Sequence, residues 1–380
     1  MTHRAAAGVV RDSIVAYLRA AQSASIAEIK QALSARIGDV AASSLRAYLN
    51  LNTPQLFERA ARGHYKLRSG KAASNVAAAV TVGNARLYHA SCFDWMRQCE
   101  PRSVHAIVTD PPYGLLEYSA NEQAKLRNGR GGVWRIPPSF DGHQRAPLPR
   151  FTILSDGDRA ALHDFFFEFG KLAVRVTVPG ANVVVASNPL LVHVAAHAMS
   201  LAGLQMRGYL VRLVMTMRGG DRPKNAHREF PDISVMPRSM FEPWLILRRP
   251  LDGRVQDNLR SWQTGGFRRP SAERPFGDVI RSHPTPRAER AIAPHPSLKP
   301  QAFLRTVIRA VLPRAEGVVL DPFAGSGSTL AACNAVGYPS IGVERDVQYI
   351  RMARKAIPAL SMSPGRTPRP AAKSQDSRRC

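Results

Sequence analysis

The sequence predicts an α/β fold: a mostly parallel, doubly wound sheet, with a small separate domain at the N-terminal end. Three observations predict it. Short apolar runs alternate with longer amphipathic segments between about residues 84 and 360. Two of those runs end in polar turns, TDPPYG at Thr109–Gly114 and DPFAGSGST at Asp321–Thr329. A small, weakly patterned linker over 71–83 separates this rhythm from a different pattern in residues 1–70.

Residues 1–70 come first. VVRDSIVAYLRAA has helical periodicity. SIAEIKQAL follows, with Ser25 placed to cap it and Glu28 three residues on as the capping-box partner. VAASSLRAYLNLN is a third amphipathic segment, and LFERAARGHYKLRS alternates across a glycine turn as a hairpin does. Three short helices and a hairpin resemble a winged helix. In that reading the third helix enters a DNA groove, and the wing, around Arg59, Arg62 and Lys66, touches phosphates. The same fold also serves protein contacts.

In the main domain, 84–360, the predicted strands are VHAIVTD, ANVVVAS, YLVRLVM, EPWLILRR, GVVLDP and PSIGVE. The predicted helices are DRAALHDFFFEFGKLAVRV, PLLVHVAAHAMSLAG, QAFLRTVIRAVL, GSTLAACNAV and VQYIRMARKAI. The tail, 361–380, is rich in Pro, Ser and Arg, and is expected to be disordered.

Charge narrows the partner. The chain of 380 residues carries 53 Lys and Arg against 28 Asp and Glu, a formal net charge of +25. That surplus points to a polyanion, nucleic acid before membrane. Cys92, Cys99, Cys333 and Cys380 form no CxxC pair and no metal-ligand spacing, so reduced thiols in a cytoplasmic protein are expected. No run approaches the roughly 20 apolar residues of a membrane helix, and no secretory leader pattern is expected at the N-terminus.

The two turns carry the chemistry. Proline cannot continue a central strand, so TDPPYG ends one and displays Asp110 and Tyr113 on a stiff corner. Open α/β sheets bind ligands at that edge. In the second turn, Gly325, Ser326 and Gly327 let backbone approach a ligand, and the helix that follows begins with free N–H groups. About twenty residues on, Glu344 ends the next strand, where an acid can bind ribose hydroxyls. The turn fits neither GxGxxG nor GxxxxGK[ST].

D-P-P-Y, D-P-F-A-G-S-G-S-T and a third stretch, HPSLKP at His295–Pro300, together resemble the S-adenosylmethionine-dependent amino-methyltransferases of DNA bases. The resemblance spans roughly residues 84 to 356, and its order, D-P-P-Y first and glycine turn later, is that of the circularly permuted beta class. It implies a Rossmann-like domain that binds S-adenosyl-L-methionine. Its cofactor residues would be Ser91, Cys92, Asp110, His295, Ser297, Lys299, Asp321, Phe323, Ala324, Gly325, Ser326, Gly327, Ser328, Thr329 and Glu344. Family members commonly have an acid just before the position of Cys92; here Ser91 stands there, with no charge to assist a hydrogen bond to the adenine.

The catalytic residues it implies are Asp110, Pro111, Pro112 and Tyr113. An exocyclic amino nitrogen is a poor nucleophile because its lone pair is delocalised into the ring. Acceptors on its two hydrogens, the Asp110 carboxylate and the Pro111 carbonyl, would draw it toward tetrahedral geometry while Tyr113 stacks on the base. The base must flip out of the duplex to be reached. Asp at the first position leans toward adenine N6. The alternatives are an N4-cytosine enzyme and a DNA-binding regulator with a degenerate fold, which Ser91 alone supports. No cysteine lies in a Pro-Cys turn, which excludes cytosine C5 chemistry. The resemblance also implies double-stranded DNA as partner and a homodimer, and no metal is expected.

Two basic stretches complete the reading. Residues 115–150 are a long loop with Lys125, Arg127, Arg130, Trp134, Arg135, Arg145 and Arg150, expected to clamp DNA as a mobile lid. Residues of about 217–292, with Arg222, Lys224, Arg228, Arg268 and Arg269, lie where this class carries target recognition.

Overall fold

The computed structural model describes residues 7–38, 57–61, 63–67, 79–112, 156–214, 225–295 and 297–364, with isolated positions between them. Tyr113, the basic residues of 115–150, Trp134, Lys224, Arg62, residues 365–380 and most of VAASSLRAYLNLN lie outside the described residues. The chain divides into two compact units, Met1–Asn75 and Val76–Cys380.

The first unit holds α1 (Ala7–Ala21), β1 (Ala24–Ser25), α2 (Ile26–Ile37), β2 (Phe57–Ala61) and β3 (His64–Leu67). The capping box forms as the sequence predicts. Ser25 N–H donates to Glu28 Oε2 at 2.7 Å, and Glu28 N–H to Ser25 Oγ at 3.3 Å. β2 and β3 pair antiparallel across Gly63, whose φ of +78° a side chain would resist, and β1 adds to the other edge of β3. Ile14, Leu18, Ile29, Leu33, Phe57 and Tyr65 form the core.

The second unit runs β4 (Val80–Val82), β5 (Ala85–His89), α3 (Cys92–Gln98), β6 (Val104–Thr109), β7 (Ser139–Phe140), β8 (His143–Gln144) and α4 (Asp156–Val176). It continues with β9 (Thr177–Ala186), α5 (Val192–Leu201), β10 (Gln205–Leu213), β11 (Phe241–Arg248), α6 (Val255–Ser261), β12 (Val279–Arg281) and α7 (Arg287–Ile292). It closes with α8 (Gln301–Val311), β13 (Val319–Asp321), α9 (Ser328–Val336), β14 (Ser340–Glu344) and α10 (Val347–Met362).

Nine strands make one sheet in the order β12-β10-β11-β9-β6-β13-β14-β5-β4. The centre is parallel; β11 runs antiparallel to both β9 and β10, and β4 antiparallel to β5. Alternation along each strand decides the layers. Ile107, Val183, Val185, Leu245 and Leu247 face α3, α4 and α5. Ala106, Val108, Val184, Trp244 and Ile246 face α8 with Phe303, Leu304 and Val307. The doubly wound α/β fold is therefore present.

α10 runs five residues past the segment VQYIRMARKAI and holds Pro358. Proline removes one helical hydrogen bond there, but buried Leu360 keeps the last turn packed, and the Arg305 guanidinium takes the carbonyls of Leu360 and Ser361 at 2.9 and 3.0 Å. No helix among the described residues is long and apolar enough to cross a membrane.

Candidate active site

The two polar turns leave from adjacent strands. β6 and β13 pair in parallel, Ala106 opposite Val319 and Ile107 opposite Leu320, so Asp110 and the glycine turn emerge at one edge. Pro111 is buried and Pro112 exposed. The buried Thr109 hydroxyl donates to Asp321 Oδ1 at 2.6 Å, and the Phe323 N–H donates to the same oxygen at 3.1 Å. Burial pushes Asp321 up to about 6, against those bonds and one from Thr329; nearby Asp110 adds to the rise.

The glycine turn is built to be bare. Gly325 has φ +51°, and a Cβ there would stand 3.2 Å from the His295 ring. Gly327 has φ +81°, and a Cβ would meet Ile357 of α10 at 2.6 Å. Glu344 at the end of β14 accepts the Gly325 N–H on Oε2 at 2.9 Å and the Asp346 N–H on Oε1 at 2.8 Å. The carboxylate at the predicted ribose position thus also braces the glycine turn.

His295–Pro300 lies against this turn. The Ser297 N–H donates to His295 Nδ1 at 3.1 Å, so the other ring nitrogen carries the proton of the neutral form. Burial, and then the Lys299 charge, lower His295 to about 4. Its ring meets Tyr349 edge-on with centroids 4.4 Å apart. Glu289 Oε2 accepts the Gln301 N–H at 3.0 Å, and the Gln301 amide reaches Ser328 O at 2.9 Å, tying the segment to the start of α9.

Lys299 does not point into open space. Its Nζ lies 2.8 Å from Asp110 Oδ2 and 2.7 Å from Glu242 Oε1. Glu242 Oε2 takes Arg212 Nη1 at 2.6 Å. Burial pulls the Lys299 ammonium down, but Asp110 and Glu242 more than offset it and hold it above its ordinary value. Burial likewise pushes Glu242 up, but Lys299 and Arg212 hold it below the carboxylate range.

On the other side of the glycine turn, Ser91 precedes α3 and makes no side-chain cap bond. The Ala90 N–H donates to Glu344 O at 3.0 Å, placing Ser91 and Cys92 beside the end of β14. Cys92 is buried, and burial pushes its thiol up to about 12, so it is no nucleophile. Phe93 and Phe323 both meet Phe165 of α4, at 5.2 and 5.9 Å between centroids, and form an apolar wall. Asn188, just past β9, is 2% exposed, and its Nδ2 has no partner among the described residues.

The structure therefore gathers Ser91, Cys92, Asp110, His295, Lys299, Asp321, Phe323, the glycine turn and Glu344 along one edge. Among the described basic residues, Arg222 and Arg228 are exposed, Arg268 reaches the Tyr338 hydroxyl at 3.2 Å, Arg269 the Glu273 carbonyl at 3.1 Å, and Lys66 pairs with Glu58 at 3.3 Å. Sequence reading missed Glu242, Arg212 and Asn188. The available signals were Arg212 inside the apolar run YLVRLVM and Glu242 at the head of EPWLILRR; Asn188 has none. No group of three metal-ligating side chains occurs among the described residues.

Residues 220–355 match the family model described as DNA methylase. Type II methyltransferase M2.LlaDCHI of Lactococcus lactis subsp. cremoris is 21% identical over 280 residues, 72% of this chain and 89% of that protein. DNA adenine methyltransferase YhdJ of Escherichia coli K12 is 40% identical over 67 residues, 18% of this chain and 22% of that protein. The solved M1.HpyAVI–SAM complex is 17% identical, with a TM-score of 0.41 over 72% of this chain and 99% of that one.

Proposed function

We propose that this chain, of which residues 220–355 match the DNA methylase family, is a member of it and a site-specific enzyme acting on the N6 amino group of adenine in duplex DNA, with S-adenosyl-L-methionine as methyl donor. The observation that carries the reading is the Thr109–Asp321 bond. It fastens a carboxylate-bearing turn to a bare glycine turn at the edge where such sheets bind ligands.

The residues fit the donor. Gly325 lies in a tight turn against the His295 ring and Gly327 lets that turn pack on α10, leaving backbone bare beside the Glu344 carboxylate and the wall of Phe93, Phe165 and Phe323. In this reading the glycine turn holds the amino-acid part, Glu344 the ribose, and Ser91, Cys92 and Phe323 the adenine. When bound, S-adenosyl-L-methionine supplies an electrophilic methyl on a sulfonium. The chain's own residues do the rest. Asp110 accepts one amino hydrogen of the flipped base, and the Pro111 carbonyl accepts the other. Tyr113 gives the base a stacking face. Lys299 holds Asp110 in place. The proton leaves to Asp110 or to water.

Adenine is favoured over cytosine N4 by the Asp that opens D-P-P-Y and by the adenine activity named for YhdJ. The N-terminal unit and the basic residues Arg222, Lys224, Arg228, Arg268 and Arg269 of the 217–292 segment are read as DNA contacts, and a homodimer goes with the family reading. Transfer of labelled methyl groups to DNA, then hydrolysis and chromatography, tests the function. N6-methyladenine is expected. A dominant N4-methylcytosine peak overturns the base, and no methylated base overturns the enzyme.

A further inference from the structure

Behind Asp110 and Lys299 lie two further charges that no motif announces, Glu242 and Arg212. Arg212 is 6% exposed, and each of its three guanidinium nitrogens is committed. Nε donates to Ser282 Oγ at 3.0 Å, Nη1 to Glu242 at 2.6 Å and Nη2 to His283 O at 2.9 Å, with the Phe303 ring 5.3 Å from its centre. Glu242 spends one oxygen on Arg212 and the other on Lys299. Two acids and two bases cancel. Burying four charges is a poor route to stability, because desolvation offsets the attraction. What such a chain does supply is a fixed orientation.

We propose that Arg212 and Glu242 are positioning residues for methyl transfer: Arg212, fixed by Ser282, His283 and Phe303, anchors Glu242, which holds Lys299 against Asp110 and so sets the direction of that carboxylate. This rests on Asp110 being the acceptor of the amino hydrogen. Neither residue touches substrate. Ser282 and His283 lie within the 217–292 segment, so the chain of contacts begins where target recognition is expected and ends on the reacting group.

The charges give the test a direction. Lys299 and Asp321 face Asp110, Lys299 and Arg212 face Glu242, and His295 lies near Lys299. Arg212→Met leaves Glu242 under-neutralised, which disfavours the ionised form of Asp110. Glu242→Gln leaves two cations facing one carboxylate, which favours it. The double variant restores neutrality.

The experiment measures methyl transfer against pH for the full chain and these three variants. The acid limb of kcat is expected to rise by about one pH unit in Arg212→Met and to fall in Glu242→Gln. The double variant is expected to return toward the wild type, with KM for donor and DNA within about twofold throughout. A merely structural role would leave the double variant no better than either single one. An unchanged limb in all three, with Asp110→Ala inactive, overturns the inference alone. Full turnover by Asp110→Ala overturns it together with the proposed function. If Arg212→Met does not fold, the downward shift in Glu242→Gln decides.

Discussion

The Thr109 hydroxyl and the Asp321 carboxylate meet at 2.6 Å across a sequence separation of 212 residues. Both are buried, at the ends of neighbouring parallel strands. The bond sets how far the Asp110 turn stands from the glycine turn.

Thr109→Val keeps the shape and removes the donor. Asp321 then stays buried with one partner fewer, so a loss of about 1–3 kcal/mol is expected from urea denaturation. Thr109→Ser should recover most of it. Equal stability of the Val and Ser variants would show that the bond contributes nothing.

His295 and Asp321 give opposite pH dependences. His295 is lowered from 6.5 to about 4, so the folded chain binds fewer protons than the unfolded one across that window, and stability is lost as pH falls through it. Asp321 is raised from 3.8 to about 6, so its contribution is present at low pH and lost as pH rises to about 6. Between pH 4 and 6 the two oppose. Asp321→Asn should therefore lose stability on acidification more steeply than the wild type, and His295→Asn less steeply. Urea midpoints measured across the window check both slopes, and parallel curves would contradict the assignment.

Gly325→Val forces a branched residue into φ +51° and sets its Cβ 3.2 Å from His295. Strain of about 1–3 kcal/mol is expected at the turn, and with it a loss of donor affinity of roughly tenfold or more. Calorimetry with S-adenosyl-L-methionine measures it. Unchanged affinity would make the turn a purely structural feature.

Ser91→Asp restores a charge beside the end of β14. If that position faces the adenine amino group, a charge-assisted bond should tighten donor binding by about 1 kcal/mol. Weaker binding would place the adenine elsewhere.

Much of this site can be read from the chain because its parts are local. A proline corner after an apolar run marks a strand end, and a glycine turn followed by an acid marks the next two. Ser25 and Glu28 declare their helix start in four residues. Other features are not local. A strand buried on both faces shows the same apolar run whichever way it points, so nothing in EPWLILRR reveals that β11 runs antiparallel between β9 and β10. That placement is what brings Glu242 to Lys299. Arg212 and Glu242 face each other on adjacent strands, 30 residues apart with no shared motif. The helices Cys92–Gln98, Val255–Ser261 and Arg287–Ile292 are too short to show a period.

The order of strands also governs how the chain comes together. β13 and β14 lie between β6 and β5, so the middle of the sheet joins residues 85–109 to residues 319–344. No nascent chain can complete that middle until its C-terminal part has been synthesised. β6, paired with β9, and β5, paired with β4, each wait with the other hydrogen-bonding edge uncovered. Closing so long a loop costs only slightly more entropy than closing a moderate one, but contacts this distant in sequence are slow to form. The connectivity thus makes the folding of the catalytic edge a late event, and exposes the waiting strands to aggregation in the interval.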